Sequence, residues 1–343
     1  MRQAKRFTYP FTAIVGQEPM KRALMLAAVQ PLIGGVLILG ERGPAKMTAV
    51  RGLPGILGQG TRVVELPLNA TEDRVVGTLH IGTLMKSGER EFVPGLLAEA
   101  DGNVLYVDEI NLLEDHIVDL LLDASATGTC RIEREGMSRE YAARFVLIGT
   151  MNPEEGTLRP QLLDRFGLSV RVTGSLTSDE RLELVRRQAH FEEDPEGFNE
   201  RFAADERECA DVLERARAFY PRVRFPDGVA KLSAGLCNEM SVDGYRADIT
   251  MMRTARALAA LGGRTRVEPD DVMEAARFVL PHRMKRLPFD EVEVDERVLE
   301  RAMDTVMKSG IDVLVQLEEE AGDASADEPA STSDEPEEAG KKA

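Results

Sequence analysis

No apolar stretch in the sequence approaches the roughly 18 uninterrupted residues that a membrane-crossing helix needs, and the opening MRQAKRFTYP lacks the apolar core of a secretion signal. The expectation is a cytoplasmic protein with no membrane span. Cysteine is scarce: Cys130, Cys209 and Cys237 are odd in number and spaced unlike any metal knuckle, which fits core thiols in a reducing compartment. His80, His116, His190 and His282 show no metal-ligand spacing. Positive charge is also short, with 43 Lys and Arg against 60 Asp and Glu and a net charge of -17. A nucleic-acid-binding surface needs clustered cations to neutralise phosphates, so this balance argues against nucleic acid as a partner.

What is present is ample core material: 43% of the 343 residues are hydrophobic. From Gly34 to Val172, short β-rich runs alternate with helical patterns, the signature of βαβ units around a parallel sheet. Gly35 to Leu39, Val104 to Val107 and Phe145 to Gly149 read as buried central strands, each ending at a polar cluster. From Ser178 onward the β-rich runs vanish, and apolar residues recur at helical spacing in Ala210 to Phe219, Val229 to Met240, Ile249 to Leu261 and Pro269 to Leu280. The expected organisation is an α/β nucleotide-binding domain over 1–175, a helical domain over 176–317 and an acidic tail over 318–343. That tail has almost no large apolar side chain to offset the entropy of ordering, and reads as disordered.

The first strand runs into Gly40-Glu41-Arg42-Gly43-Pro44-Ala45-Lys46-Met47-Thr48 and then a helical pattern, which is the context and register of the phosphate-binding GxxxxGK[ST] loop. Glycines let backbone N–H groups wrap a phosphate at a helix N-terminus, and the lysine reaches the outer phosphates. Gly40, Gly43 and Lys46 meet those needs. Ala45 stands where the last glycine is usual, a small change at negative φ. Met47 replaces the Ser or Thr whose hydroxyl binds Mg2+, and a thioether is a poor ligand for a hard cation. Thr48 projects about 100° further around the helix.

The second strand closes on Asp108-Glu109. One acid at a strand end can hold Mg2+ through water, and the next can polarise an attacking water. Adjacent carboxylates repel, so the pair calls for a cation. The third strand leads to Asn152, which can position the water from the other side.

These residues, with Ala70-Thr71-Glu72-Asp73-Arg74-Val75-Val76-Gly77, Asp115-His116-Ile117-Val118-Asp119-Leu120-Leu121-Leu122-Asp123 and Leu158-Arg159-Pro160-Gln161-Leu162-Leu163-Asp164-Arg165-Phe166-Gly167, resemble the AAA+ subunit of magnesium chelatase, the smallest of its three subunits. The likeness runs from Phe11 to Arg286. It implies an AAA+ P-loop NTPase with a parallel sheet and a C-terminal helical lid, using ATP and Mg2+. By resemblance Lys46 is the phosphate-binding lysine, Asp108 the Mg2+ acid, Glu109 the catalytic acid and Asn152 the γ-phosphate sensor. Arg165 looks like the arginine finger offered across a subunit boundary, and Arg246, with Arg253 as second choice, like the sensor arginine of the lid. Thr78 to Val93, turning at Lys86-Ser87-Gly88-Glu89, and Arg131 to Arg144, turning near Glu135-Gly136, resemble the inserted hairpins of this branch. The resemblance further implies a hexameric homo-oligomeric ring, an AAA+-like D-type partner and a large porphyrin-binding H-type partner, acting in Mg2+ insertion into protoporphyrin IX for (bacterio)chlorophyll synthesis. A MoxR-like or cobalt-chelatase-like chaperone is the alternative, as is an ATP-binding ring component that hydrolyses little because of Met47.

Overall fold

The computed structural model describes residues 7–40, 44–79, 92–134, 137–172, 176–284, 300–302 and 304–306. The expected acidic tail and the turns of the two hairpins lie outside these residues. Five strands form one parallel sheet: β1 (Val36–Leu39), β2 (Val63–Glu65), β5 (Val104–Val107), β8 (Val146–Met151) and β9 (Leu168–Arg171), in the order β2-β5-β8-β1-β9. Parallel strands buried on both faces read as continuous apolar runs, and β5 and β8 are buried along their whole length.

Alternation across the sheet divides the interior in two. Val36, Ile38, Val104, Tyr106, Val146 and Ile148 face one apolar cluster, while Leu37, Leu105, Val107 and Leu147 face the other. The first cluster continues without a break into the C-terminal helices through Leu213, Val229, Leu236, Met251, Leu258 and Val272. The second is capped by the helix Asp115–Thr127, which buries Ile117, Val118, Leu121 and Leu122. Asp119 and Asp123 are left on its outer side.

Two hairpins leave this frame. One pairs β3 (Gly77–Leu79) with β4 (Phe92–Pro94), and the other pairs β6 (Thr129–Arg134) with β7 (Met137–Ala142). After β9 the described residues form helices and 3-10 turns: Ser178–Glu193, Pro195–Phe219, Asp227–Glu239, Arg246–Leu261 and Pro269–Val279. The first of these opens on a reciprocal capping box between Thr177 and Glu180, which satisfies two N-terminal donors. The 25-residue second helix is tied back to the N-terminal segment by Glu206, whose Oε1 accepts from both the Thr12 N–H and the Thr12 hydroxyl at 2.8 Å. No described helix is long and apolar enough to cross a membrane.

Candidate functional site: a phosphate loop at the strand ends

Three adjacent strands bring polar groups to one edge of the sheet. Leu39 at the end of β1 lies beside Met151 of β8, and Val107 at the end of β5 lies beside Gly149, so the residues that follow emerge side by side. In an open α/β sheet, ligands bind at this carboxyl edge, where strand order reverses.

Gly40 leaves β1 at φ 156 with its N–H on the Met151 carbonyl at 3.1 Å. A Cβ there would lie 2.6 Å from the Val172 carbonyl oxygen, which requires glycine at this first loop position. Glu41, Arg42 and Gly43 lie outside the described residues. The chain resumes with Pro44, first residue of the helix Pro44–Gly52. Proline suits a helix start because its fixed φ is pre-organised. It also has no N–H, so the loop has one fewer backbone donor for a phosphate.

Lys46 is 8% exposed, and its ammonium donates to the Gly40 carbonyl at 2.8 Å, folding the side chain back over its own loop. Burial lowers its pKa, and the nearby charges of Asp108, Glu109 and Glu155 oppose that shift. Lys46 and the Asp108-Glu109 pair therefore share one electrostatic neighbourhood. Met47 packs against the larger apolar core, and Thr48 is partly buried.

Asp108 is exposed, and its Oδ1 accepts from the Tyr106 hydroxyl at 2.9 Å and the Thr150 hydroxyl at 2.6 Å. Thr150 is 1% exposed and also accepts from the Glu109 N–H at 3.1 Å. One hydroxyl thus fixes both acids. Glu109 sits in the left-handed region at φ 51, ψ 52, uncommon for a residue with a Cβ and the kind of local strain that functional sites hold. Burial raises the Tyr106 pKa, so this phenol stays a donor to the carboxylate. Asn152 is buried at the end of β8, and its side-chain oxygen caps the turn Pro153–Glu155 by accepting from the Glu154 N–H at 3.2 Å.

Two further candidates lie in a second cluster. Arg165 pairs with Asp119 and Asp123 on the outer side of the helix Asp115–Thr127. Arg246, first residue of the helix Arg246–Leu261, donates to Asp164 at 2.6 Å. Arg253 donates to the Leu32 carbonyl. Sequence reading missed Thr150 and Arg283. A hydroxyl inside a fully apolar strand beside an acid-ended strand was the available signal for Thr150. Arg283 bonds to backbone 116 residues away and gives no local signal.

A valine at 150 keeps the shape of threonine and removes both hydroxyl bonds. We expect Thr150→Val to lose about 1–3 kcal/mol in urea unfolding, because the Glu109 N–H loses its acceptor. Thr150→Ser should stay near the parent. Equal midpoints for Val and Ser would show that the hydroxyl does not hold the pair.

A five-stranded parallel sheet in the order β2-β5-β8-β1-β9, with a lysine-bearing loop after β1 and an acid pair after β5, two strands away, is the frame of an AAA-class P-loop NTPase. Residues 35–166 match the AAA domain of the dynein-related subfamily, and 230–302 match the AAA lid domain. A magnesium-chelatase 38 kDa subunit from Acidiphilium rubrum is 47% identical over 332 residues, covering 86% of this chain and 96% of that protein. A magnesium-chelatase subunit ChlI homolog from Methanocaldococcus jannaschii is 45% identical, covering 86% and 91%. An uncharacterized protein of Mycobacterium tuberculosis is 50% identical over 94% of this chain, which spans only 52% of that longer protein. A solved chain from Cytophaga hutchinsonii, 20% identical, shares the fold with a TM-score of 0.64, covering 86% of this chain and 91% of that one. The chain belongs to the AAA+ family of magnesium-chelatase 38 kDa (I) subunits.

Proposed function

We propose that this chain binds ATP with Mg2+ and serves as the motor subunit of a magnesium-chelatase-like complex, its hydrolysis in a homo-oligomeric ring driving Mg2+ insertion into protoporphyrin IX. The observation that carries this reading is the buried Lys46 beside Asp108 and Glu109 at the sheet edge, in a chain whose relatives are named magnesium-chelatase subunits. Residues 1–175 would be the nucleotide-binding part and 176–317 the lid.

In this reading Gly40 and the backbone from Pro44 to Thr48 border the phosphates, with Lys46 leaving the Gly40 carbonyl to meet them. Asp108 would hold the nucleotide's Mg2+, which when bound neutralises phosphate charge. The residues present fit that ion in one specific way. Asp108 offers an exposed carboxylate braced by two hydroxyls, while the Met47 thioether beside Lys46 packs into the core. That set suits a cation held by one carboxylate and its own waters, without a loop hydroxyl. Glu109 would polarise the attacking water, Asn152 would orient it, Arg246 would reach in from the lid, and Arg165 would act on the neighbouring copy. A D-type AAA+-like partner and a large porphyrin-binding H-type subunit complete the assembly.

A second reading, a ring component that binds ATP and hydrolyses it slowly, is favoured by Met47 and by the donor lost at Pro44. Phosphate release by Met47→Ser separates the two. A metal site improved by one ligand should gain roughly 10-fold in rate at limiting Mg2+. No gain would mean that Met47 is not what limits hydrolysis. The functional reading itself is tested with purified protein and a fluorescent ATP analogue, followed by recovery of partners in the presence of ATP. Co-purification of a large porphyrin-binding protein is expected. Failure to bind the analogue, alone or with partners, would remove the motor reading, and recovery of a metalloprotein without any porphyrin-binding subunit would favour the chaperone alternative.

A further inference from the structure

Arg165 is carried by a short turn, Asp164 to Gly167, between the helix Pro160–Leu163 and β9, and residues far along the chain grip that turn. Behind it, Gly167 presses on the segment before β1: its N–H donates to the Gly34 carbonyl at 3.0 Å, and a Cβ on it would meet the Ile33 carbonyl oxygen at 2.2 Å. In front of it stands Arg283, whose side chain is 1% exposed. One Arg283 amino group donates to the Gly167 carbonyl at 3.0 Å and the Val279 carbonyl at 2.6 Å, and the other donates to the Phe166 carbonyl. Its Nε lies 3.5 Å from Asp164 Oδ1, and the other oxygen of Asp164 holds Arg246. His282 adds a ring nitrogen 2.9 Å from the Phe166 carbonyl.

A buried guanidinium is costly, and such groups persist where several partners satisfy them. Burial pushes the Arg283 pKa down to about 10, opposed by Asp164, so the group keeps its charge near neutrality. Its bonds converge on the residues flanking Arg165, and Arg165 itself extends away to the outer face beside Asp119 and Asp123. We propose that Arg283 is a positioning residue for Arg165: it joins the part of the lid just after the helix Pro269–Val279 to the Asp164–Gly167 turn and sets the direction in which Arg165 is presented to the neighbouring copy. Lid position and finger position are thereby one rigid unit, so a lid that moves on its own nucleotide also moves the arginine offered to the next site. This inference rests on the reading of Arg165 as a group that acts across a subunit boundary.

A purely structural arginine and a positioning arginine differ in whose site they damage. Arg283→Met should bind the fluorescent ATP analogue like the parent and release phosphate far more slowly, with the loss in kcat rather than KM. Arg283→Lys, keeping one donor group, should recover part of the rate. The deciding measurement mixes Arg283→Met with Glu109→Gln, each nearly inactive alone. About one site in four of a random ring then pairs an intact Glu109 with a correctly presented Arg165 from the next copy, and activity returns, because a finger can act in trans. Co-assembly without any recovered activity would overturn the proposal. If the parent itself releases no phosphate, the ATPase reading fails instead, and amide exchange decides the clamp. Faster exchange across 159–167 in Arg283→Met with unchanged exchange around Lys46 upholds it, and unchanged exchange across 159–167 overturns it.

Discussion

Replacing Arg165 by alanine is expected to leave ATP-analogue binding intact while cutting phosphate release by roughly a thousandfold, the scale of an arginine that stabilises charge on a transferring phosphoryl group. The expectation follows from where the side chain sits. Within one chain it lies against Asp119 and Asp123 rather than beside Lys46, so its removal need not disturb the phosphate loop of its own copy. The two aspartates stand four residues apart on one helix and repel once the guanidinium between them is gone, at a cost of a few tenths of a kcal/mol. That cost is too small to unfold the chain, and Asp119→Asn in the Arg165→Ala background should restore it without restoring hydrolysis. Phosphate release and analogue binding measured on the same preparations settle the matter. Equal losses in both would mean that Arg165 supports its own nucleotide pocket, and an undiminished rate would remove it from the chemistry altogether.

The two aspartates also suggest why this arginine should wait for a neighbour. A guanidinium held by two carboxylates is neutralised and directed, and in the isolated chain it has no phosphate to meet. In the proposed ring a neighbouring copy would bring its nucleotide edge to that face, and the competition between two carboxylates and a triphosphate would then set how strongly activity depends on protein concentration.

Much of the sheet was legible in the sequence because buried parallel strands are written as unbroken apolar runs. Val104–Val107 is the same in both readings. β8 continues past the expected Gly149 to Met151 because Thr150 and Met151 pair with Ile38 and Leu39, information that resides in the partner strand. The short edge strands β2 and β9 lack the long apolar run that marks a central strand. The helix Ser178–Glu193 buries no residue, so apolar periodicity could not mark it, although Thr177 and Glu180 did spell its capping box. The placement of Gly40, Asp108, Glu109 and Asn152 at one edge of the sheet was legible from strand-end polarity, since each comes at the end of an apolar run. The grip on Asp164 to Gly167 was not, because backbone carbonyls have no letter in the sequence and their donors, His282 and Arg283, come more than a hundred residues later.

Lys46→Met tests the centre of the site. The ammonium is the charge most directly placed for a phosphate, and a bond between charged groups contributes about 1.5–3 kcal/mol, so analogue affinity should fall roughly 10- to 100-fold. Stability should move the other way or not at all. Burial disfavours the charged lysine, which means that at neutral pH the folded chain bears a desolvation cost that methionine lacks. The sign of the pH dependence follows from the lowered pKa. The folded state releases the lysine's proton more readily than the unfolded state, so the parent gains stability as pH rises into the alkaline range and the difference from the variant closes. Thermal melts from neutral to alkaline pH, without nucleotide, read this directly. A methionine variant that melts well below the parent at every pH would show that the bond from Lys46 to the Gly40 carbonyl supports the fold. A variant that melts above the parent at neutral pH, draws level with it as pH rises and has lost the analogue identifies Lys46 as a ligand-binding charge held in place at the expense of stability.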